Sequence, residues 1–446
     1  MPTATTSPSP ADLHDSTSAA YKRARRQHLK ATRSRHQEVE ADWTPFRAAE
    51  KKYKARFPPP DLADVLDLAA LDDTRQQETS KSGWRGRGDA VTWEAIELHD
   101  CSHAGPSTGR KAYIFLDIPG LVLLPSFVGP DEQKRLVRWA LCEQALHPNE
   151  TNLDTHYVLP EGGLWNKYLD VRQELCEDDY IRPCASLLST PSGSGVAEPP
   201  GPRKLVSNDP AGKDKYETLT STPKLPAAPS SSVRPMLVSA LVPKLRWANI
   251  GWSYHWGTKQ YDFSKGKGVI SQEIRSLCRR AVQAVRWDLV FANDKSTDGD
   301  WGEDGPDWDQ WNETYEPDAG IVNFYQTKDT LMAHVDRSEV CATSPLVSVS
   351  LGCAAVFLIG GLTRDVKPIA ILLRSGDTVI MSGPACRRAY HGVPRILEGT
   401  LPPHLEDSEA SEWAVYEEYL RSTRINVNVR QVFPRGFDPT RVGSHT

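Results

Sequence analysis

Beyond residue 320 apolar and polar positions alternate in short runs: "IVNFYQ", "LVSVSL", "AAVFLIGG", "IAILLRSGDTVIMSG" and "RINVNVRQV". A period of two puts successive side chains on opposite faces of a strand, and Gly, Asp and Pro punctuate the runs. The pattern predicts an antiparallel barrel or a double-sheet jelly roll. Upstream, "KAYIFLDIPGLVLLPSF" predicts two strands broken at Pro-Gly. The following "GPDEQKRLVRWALCEQAL" has Pro and acids where a helix begins and apolar residues at helical spacing. "FPPPDLADVLDLAAL" predicts an extended proline stretch entering a short helix, with Asp61 near its first turn.

The pattern lapses in three places. Residues 1–18 are rich in Ser, Thr, Pro and Ala, and "YKRARRQHLKATRSRH" (Tyr21 to His36) carries seven Lys/Arg and no acid. That run suits a nuclear-import signal or an arm on nucleic acid, and equally a solvated helix face. Residues 187–233 are rich in Ser, Pro and Gly and too polar to bury a core. The stretch "NDKSTDGDWGEDGPDWDQWNETYEPD" reads as an acidic loop whose tryptophans can anchor it. The organisation expected is a disordered, basic region over 1–56, an α/β extension over 57–186, a disordered insertion over 187–233, and a jelly-roll domain over 234–446.

Composition narrows the classes. With 53 Lys+Arg against 58 Asp+Glu the net charge is −5, so a polyanionic partner has to be met by a local patch. Eight scattered cysteines without a Cys-x-x-Cys pair point to reduced thiols and argue against a zinc finger. No apolar signal core opens the chain, and the long apolar runs are interrupted and β-branched. A soluble intracellular protein is expected, in nucleus, cytoplasm or mitochondrion, monomeric and without membrane association.

Candidate chemistry starts at "TLMAHVDRSE". With 12 histidines in the chain a His-x-Asp arises by chance about once, so His334 and Asp336 decide nothing alone. On a strand, however, the two share a face and can converge on one ion. A facial Fe(II) site needs one more imidazole and leaves three positions open, and His391 in "YHGVPR" can supply it. In "RINVNVRQ" the residues Arg424, Asn426, Asn428 and Arg430 share one strand face, with Ile425, Val427 and Val429 on the other. Two guanidinium groups facing one way need concentrated acceptors if that face is buried, and a dicarboxylate suits arginine's planar fork; a solvent-exposed polar strand face is the other reading.

Together "HVDRSE", "YHGVPR" and "RINVNVRQ" resemble the AlkB family of Fe(II)/2-oxoglutarate-dependent dioxygenases. "VSVSLGCAAVFLIGGLTRD" is most similar to its eukaryotic AlkB homologue one branch. The resemblance reaches upstream through "KLRWANIGWSYHW" and more faintly to "FPPPDLADVLDL". It implies an α+β protein with a double-stranded β-helix (jelly-roll) core, flanking helices and disordered insertions. It further implies Fe(II) held by His334, Asp336 and His391. The cosubstrate 2-oxoglutarate would be held by Arg424 at its distal carboxylate, with Asn426, Arg430, Asn323 and Tyr325 completing the pocket. Asn428 stands where the family commonly has Thr. The implied reaction is oxidative demethylation of N-methylated bases in DNA or tRNA, releasing succinate, CO2 and formaldehyde. A methylated base has to be unstacked and gripped; for that the chain offers Arg246, Trp247, Trp252, Tyr254 and Trp256, of which Trp252 and Tyr254 are the stacking candidates. Arg337 and Glu339 are candidates for the substrate mouth. A dioxygenase acting on a protein side chain and a nucleic-acid-binding protein without turnover are the alternatives.

Overall fold

The computed structural model describes residues 12–13, 15, 17–32, 43–99, 111–184, 212, 214–227, 229–230, 232–302, 305–406, 412–437 and 439. Among these, strands β1 (Glu94–Glu97), β2 (Lys111–Ile114) and β3 (Leu121–Leu124) come first. A two-stranded pair, β4 (Tyr180–Ile181) and β5 (Met236–Leu237), and a hairpin, β6 (Trp247–His255) and β7 (Gln260–Lys267), follow. The alternating runs then become β8 (Ala319–Gln326), β9 (Leu331–His334), β10 (Leu346–Gly352), β11 (Ala355–Ile359), β12 (Ile369–Leu373), β13 (Thr378–Met381), β14 (His391–Ile396) and β15 (Thr423–Arg430).

They assemble into a nine-stranded sheet, β1-β2-β3-β13-β10-β15-β8-β6-β7, and a four-stranded sheet, β12-β11-β14-β9. From β8 onward the chain alternates between the sheets, with β8, β10, β13 and β15 in the large one and β9, β11, β12 and β14 in the small one. This winding of antiparallel strands is a jelly roll. Strand alternation divides the large sheet's side chains. Val322, Phe324, Val347, Val349, Ile425 and Val427 face outward into a core shared with the helices Pro130–Arg138 and Gln272–Ala284. Between the sheets lie Leu346, Phe357, Ile371, Val379, Met381 and Val393.

The segment 57–186 is built into this frame. Its β3 pairs with β13, with Leu121 opposite Met381 and Leu124 opposite Thr378, so the extension lengthens the nine-stranded sheet. The short helix in "DLADVLDLAAL" is a 3-10 turn over Leu68–Leu71, capped by Asp67 through Ala69 N–H and not by Asp61, which bonds Ala63 N–H. The acidic stretch is pinned as expected by its rings: Trp301 and Trp311 are buried beside Phe291 and Trp287.

Two expectations of disorder are corrected. Within 1–56, Ala19–Thr32 and Pro45–Lys54 are helices. The second buries Phe46 and Tyr53 against Val356 and Leu358 of the small sheet, and Phe46 alone contributes about 2–3 kcal/mol. Within 187–233, Asp214–Ser221 is a helix whose Tyr216 and Leu219 pack with Trp252, Tyr261 and Phe433. In both places a few apolar residues at helical spacing suffice because a partner surface waits elsewhere in the chain. Most of residues 1–18, residues 33–36 of the basic run and residues 187–211 lie outside the described residues. No helix among the described residues is long and apolar enough to cross a membrane.

Candidate active site

His334 ends β9 and His391 opens β14, and the register sets them directly opposite each other. Their rings lie 4.4 Å apart, centroid to centroid. Asp336 follows two residues on, with Oδ1 3.8 Å from His334 Nε2. One ligand atom from each of the three falls within 4.8 Å of the others. Both imidazoles are oriented alike: His334 Nδ1 bonds the Met332 carbonyl at 2.9 Å and His391 Nδ1 the Ala389 carbonyl at 3.0 Å. With the proton at Nδ1, each Nε2 presents a lone pair to the cluster, the tautomer a metal ion requires. Burial, with His334 adding to it, pushes His391 down to about 4, so it stays neutral near pH 7. Burial alone would raise the Asp336 carboxyl, but Arg430 and the two histidines outweigh it and hold it ionised, well below the usual carboxylate range. Two imidazoles and one carboxylate fit a divalent cation of the facial-triad kind.

The inward face of β15 lies across the interior from these ligands. Arg424 is buried at 2% exposure, and its Nη2 donates to Ser350 Oγ at 2.9 Å. Its Nε and Nη1 have no acceptor, and no carboxylate pairs with it among the described residues. Burial pulls this guanidinium down to about 10. Tyr325, opposite Arg424 in the register, has its ring 5.8 Å from the guanidinium, and its phenol feels the charges of both Arg424 and Asp336. Tyr325 packs in the core between the sheets, and Phe357 of that same core lies 6.2 Å from the His391 ring, so the arginine and the ligands face one interior. Asn426 pairs across with Asn323, and its amide is held by Ser348 Oγ and the Val349 carbonyl at 2.8 and 3.0 Å.

Arg430 has a different employment. Its Nη1 donates to Asp336 Oδ2 at 2.9 Å and to Glu339 Oε1 at 2.6 Å, while Nη2 donates to Asn428 Oδ1 at 2.7 Å. It is engaged in fixing the aspartate of the triad, and its buried Nε has no acceptor among the described residues. Asn428, which stands in place of the family's Thr, is its amide support. Glu339 is fully buried between Arg430 and Arg387, the latter at 3.5 Å, and cannot line a substrate mouth. Arg337 is half-buried and donates to the Tyr390 hydroxyl at 3.2 Å.

Of the proposed stacking pair, Trp252 is structural: it is buried edge-on against Phe263 and Phe433. Tyr254 is half-buried, and its ring meets Trp256, which is 42% exposed and lies 5.1 Å from Trp247. Trp247 sits opposite Asn323 in the register and so shares the interior face. Ser348 and Ser350 join the site without having been candidates, although "LVSVSL" carries a signal for them: they alternate with apolar residues, which places both on the inward face.

The sequence and this arrangement have known counterparts. Residues 211–430 match the 2OG-Fe(II) oxygenase superfamily. The human protein named nucleic acid dioxygenase ALKBH1 is 33% identical over 420 residues, covering 87% of this chain and 83% of that protein. The chain belongs to the ALKBH1 family of 2OG-Fe(II) oxygenases. Other ALKBH1 relatives include the Arabidopsis thaliana DNA N(6)-methyladenine demethylase ALKBH1A, 28% identical over 88% of this chain and 97% of that protein. The Schizosaccharomyces pombe tRNA demethylase abh1 is 28% identical over 87% of this chain and 96% of that protein. ALKBH1-type similarity thus extends well upstream of the oxygenase match, through the β1–β3 extension.

Proposed function

We propose that this protein oxidatively demethylates N-methylated bases in nucleic acid, with Fe(II) at His334, Asp336 and His391 and 2-oxoglutarate anchored by Arg424. The observation that carries this is the buried guanidinium of Arg424, with two donors unanswered, in the same interior as a three-ligand cluster. An unpaired buried cation is costly, and a dicarboxylate whose other end reaches the metal supplies the missing acceptors. Asn323 and Tyr325, opposite Asn426 and Arg424 in the register, complete the proposed pocket.

When bound, iron and 2-oxoglutarate supply a strong oxidant from O2, and succinate and CO2 are released. The chain's own part is positional. Arg430 keeps Asp336 ionised and aimed, the backbone carbonyls of Met332 and Ala389 keep both imidazoles in the ligating tautomer, and Arg424 sets the cosubstrate's orientation. The hydroxylated methyl leaves as formaldehyde.

Nucleic acid as the substrate is supported by the activities for which the relatives are named and by two surfaces here. Trp247, Tyr254 and Trp256 offer ring faces for an unstacked base beside the interior. The helix Ala19–Thr32 exposes five cations, Lys22, Arg23, Arg25, Arg26 and Lys30, and rests on Phe57 through Tyr21 and His28 at 5.0 and 5.7 Å between ring centroids.

The decisive experiment is an aerobic assay with Fe(II) and 2-oxoglutarate across methylated DNA and RNA oligonucleotides and a methylated peptide, following succinate and loss of methyl. Methyl loss coupled to succinate on oligonucleotides is expected. Turnover on the peptide alone would move the substrate to protein, and absence of turnover on all would leave a binding protein. Removing the basic helix should lower the slope of log affinity against log salt by about 2–4 units on duplex DNA, roughly one for each phosphate no longer neutralised, with the saturated rate unchanged.

A further inference from the structure

Among the described residues β9 is the last strand of its sheet and pairs with β14 on one side only. Its other edge exposes backbone groups one residue before the ligand His334, and an edge strand left unpaired is free to shift. That edge is held by Glu50, in the helix Pro45–Lys54. Glu50 Oε1 accepts the Ala333 N–H at 2.6 Å, Oε2 accepts from Arg47 Nη1 at 3.1 Å, and the residue is 3% exposed. The carbonyl of the same Ala333 accepts from Arg364 Nη2 at 3.2 Å. The backbone N–H of Phe46, in the same helix, donates to the Arg364 carbonyl at 3.1 Å. Arg364 also lies over the Tyr390 ring at 5.1 Å, beside His391. One frame outside the barrel therefore grips the backbone beside His334 and the ring beside His391.

We propose that Glu50 is a positioning residue for the metal centre: its carboxylate pins the free edge of β9 at Ala333, so that His334 and Asp336 face His391. The assignment rests on the reading of these three residues as a metal site. A buried carboxylate accepting a backbone N–H forms a charge-assisted bond, stronger than a neutral one, and Arg47 offsets the cost of burying its charge. The helix lies outside the residues that match the oxygenase superfamily, so the oxygenase domain's edge is completed by a distant part of the chain. Arg364 completes the grip from the carbonyl side.

The test measures Co(II) binding to the full chain without cosubstrate or oxygen, by its visible absorption and by calorimetry, alongside thermal melting. Glu50→Ala is expected to weaken Co(II) binding about 10-fold, at the lower end of what supporting groups around metal ligands contribute. Glu50→Gln, whose amide oxygen still accepts the Ala333 N–H, should recover most of the affinity. A folded Glu50→Ala protein that binds Co(II) like the wild type would overturn the role, and so would Glu50→Gln falling as far as Glu50→Ala. Should Glu50→Ala fail to fold, Arg364→Ala on the exposed loop takes its place. Weaker Co(II) binding at an unchanged melting temperature supports the frame, and unchanged affinity refutes it. Absence of Co(II) binding by the wild type would instead overturn the metal centre itself, a result the variants cannot mimic.

Discussion

The two ends of β15 carry the same side chain in opposite circumstances. Arg430 donates to Asp336, Glu339 and Asn428 and keeps only its Nε unanswered, and the two carboxylates, with burial working against them, hold its guanidinium charged well beyond its ordinary range. Arg424 has one hydroxyl, Ser350, and two idle donors, and burial pulls it down. The first arginine is part of the scaffold that presents a metal ligand. The second is a receptor, kept unsatisfied within the protein so that a ligand can satisfy it. Burial is alike at the two ends, so the partners that the fold brings to each decide which task it performs.

Four substitutions sharpen or break that contrast. The largest effect is expected from Asp336→Ala, which removes a metal ligand and one acceptor of Arg430 together: succinate production should vanish while the circular dichroism of the protein is retained. Persisting turnover in the purified variant would remove Asp336 from the metal site. Arg430→Met takes its cation from Asp336 and leaves Glu339 with Arg387 alone, and should cost about 3–5 kcal/mol in denaturant unfolding. A loss under about 1 kcal/mol would show that its ion pairs are not structural.

Arg424→Met should separate binding from stability. It removes a cation that the protein itself leaves unpaired, so unfolding without cosubstrate should be no easier than in the wild type. The requirement for 2-oxoglutarate should rise about 30-fold or more, as a charge-assisted pair of about 2 kcal/mol is lost. The melting temperature of the wild type should rise with 2-oxoglutarate and that of Arg424→Met should not, since only a ligand bound to the native state stabilises it. A variant that melts early and still responds to the cosubstrate would reverse the roles of the two arginines. The smallest effect belongs to Asn428→Thr, which exchanges the amide acceptor on Arg430 for a shorter hydroxyl. A loss of about 1 kcal/mol or less is expected by the same unfolding measurement, because two carboxylates remain on the guanidinium.

The alternation in "RINVNVRQ", "LVSVSL" and "IVNFYQ" determined locally which residues share a strand face. For that reason the strands, the inward polar face of β15 and the convergence of His334 with Asp336 were legible, and the motifs carried His391 with them. A strand's period is set by its own backbone and needs no knowledge of its neighbours. What crosses between strands is a different matter. That Arg430 answers Asp336 while Arg424 meets only the Ser350 hydroxyl depends on where β9 and β10 lie against β15. That Trp252 packs into a core while Trp256 reaches the surface depends on which side of the β6–β7 hairpin the Asp214–Ser221 helix covers. Glu50 and Tyr216 sit in stretches whose composition predicts disorder, and they are buried because surfaces far away in the chain complete them. Local pattern sets periodicity, whereas the energy of a buried charge or ring is fixed by its partners, and those are chosen only when the tertiary structure forms.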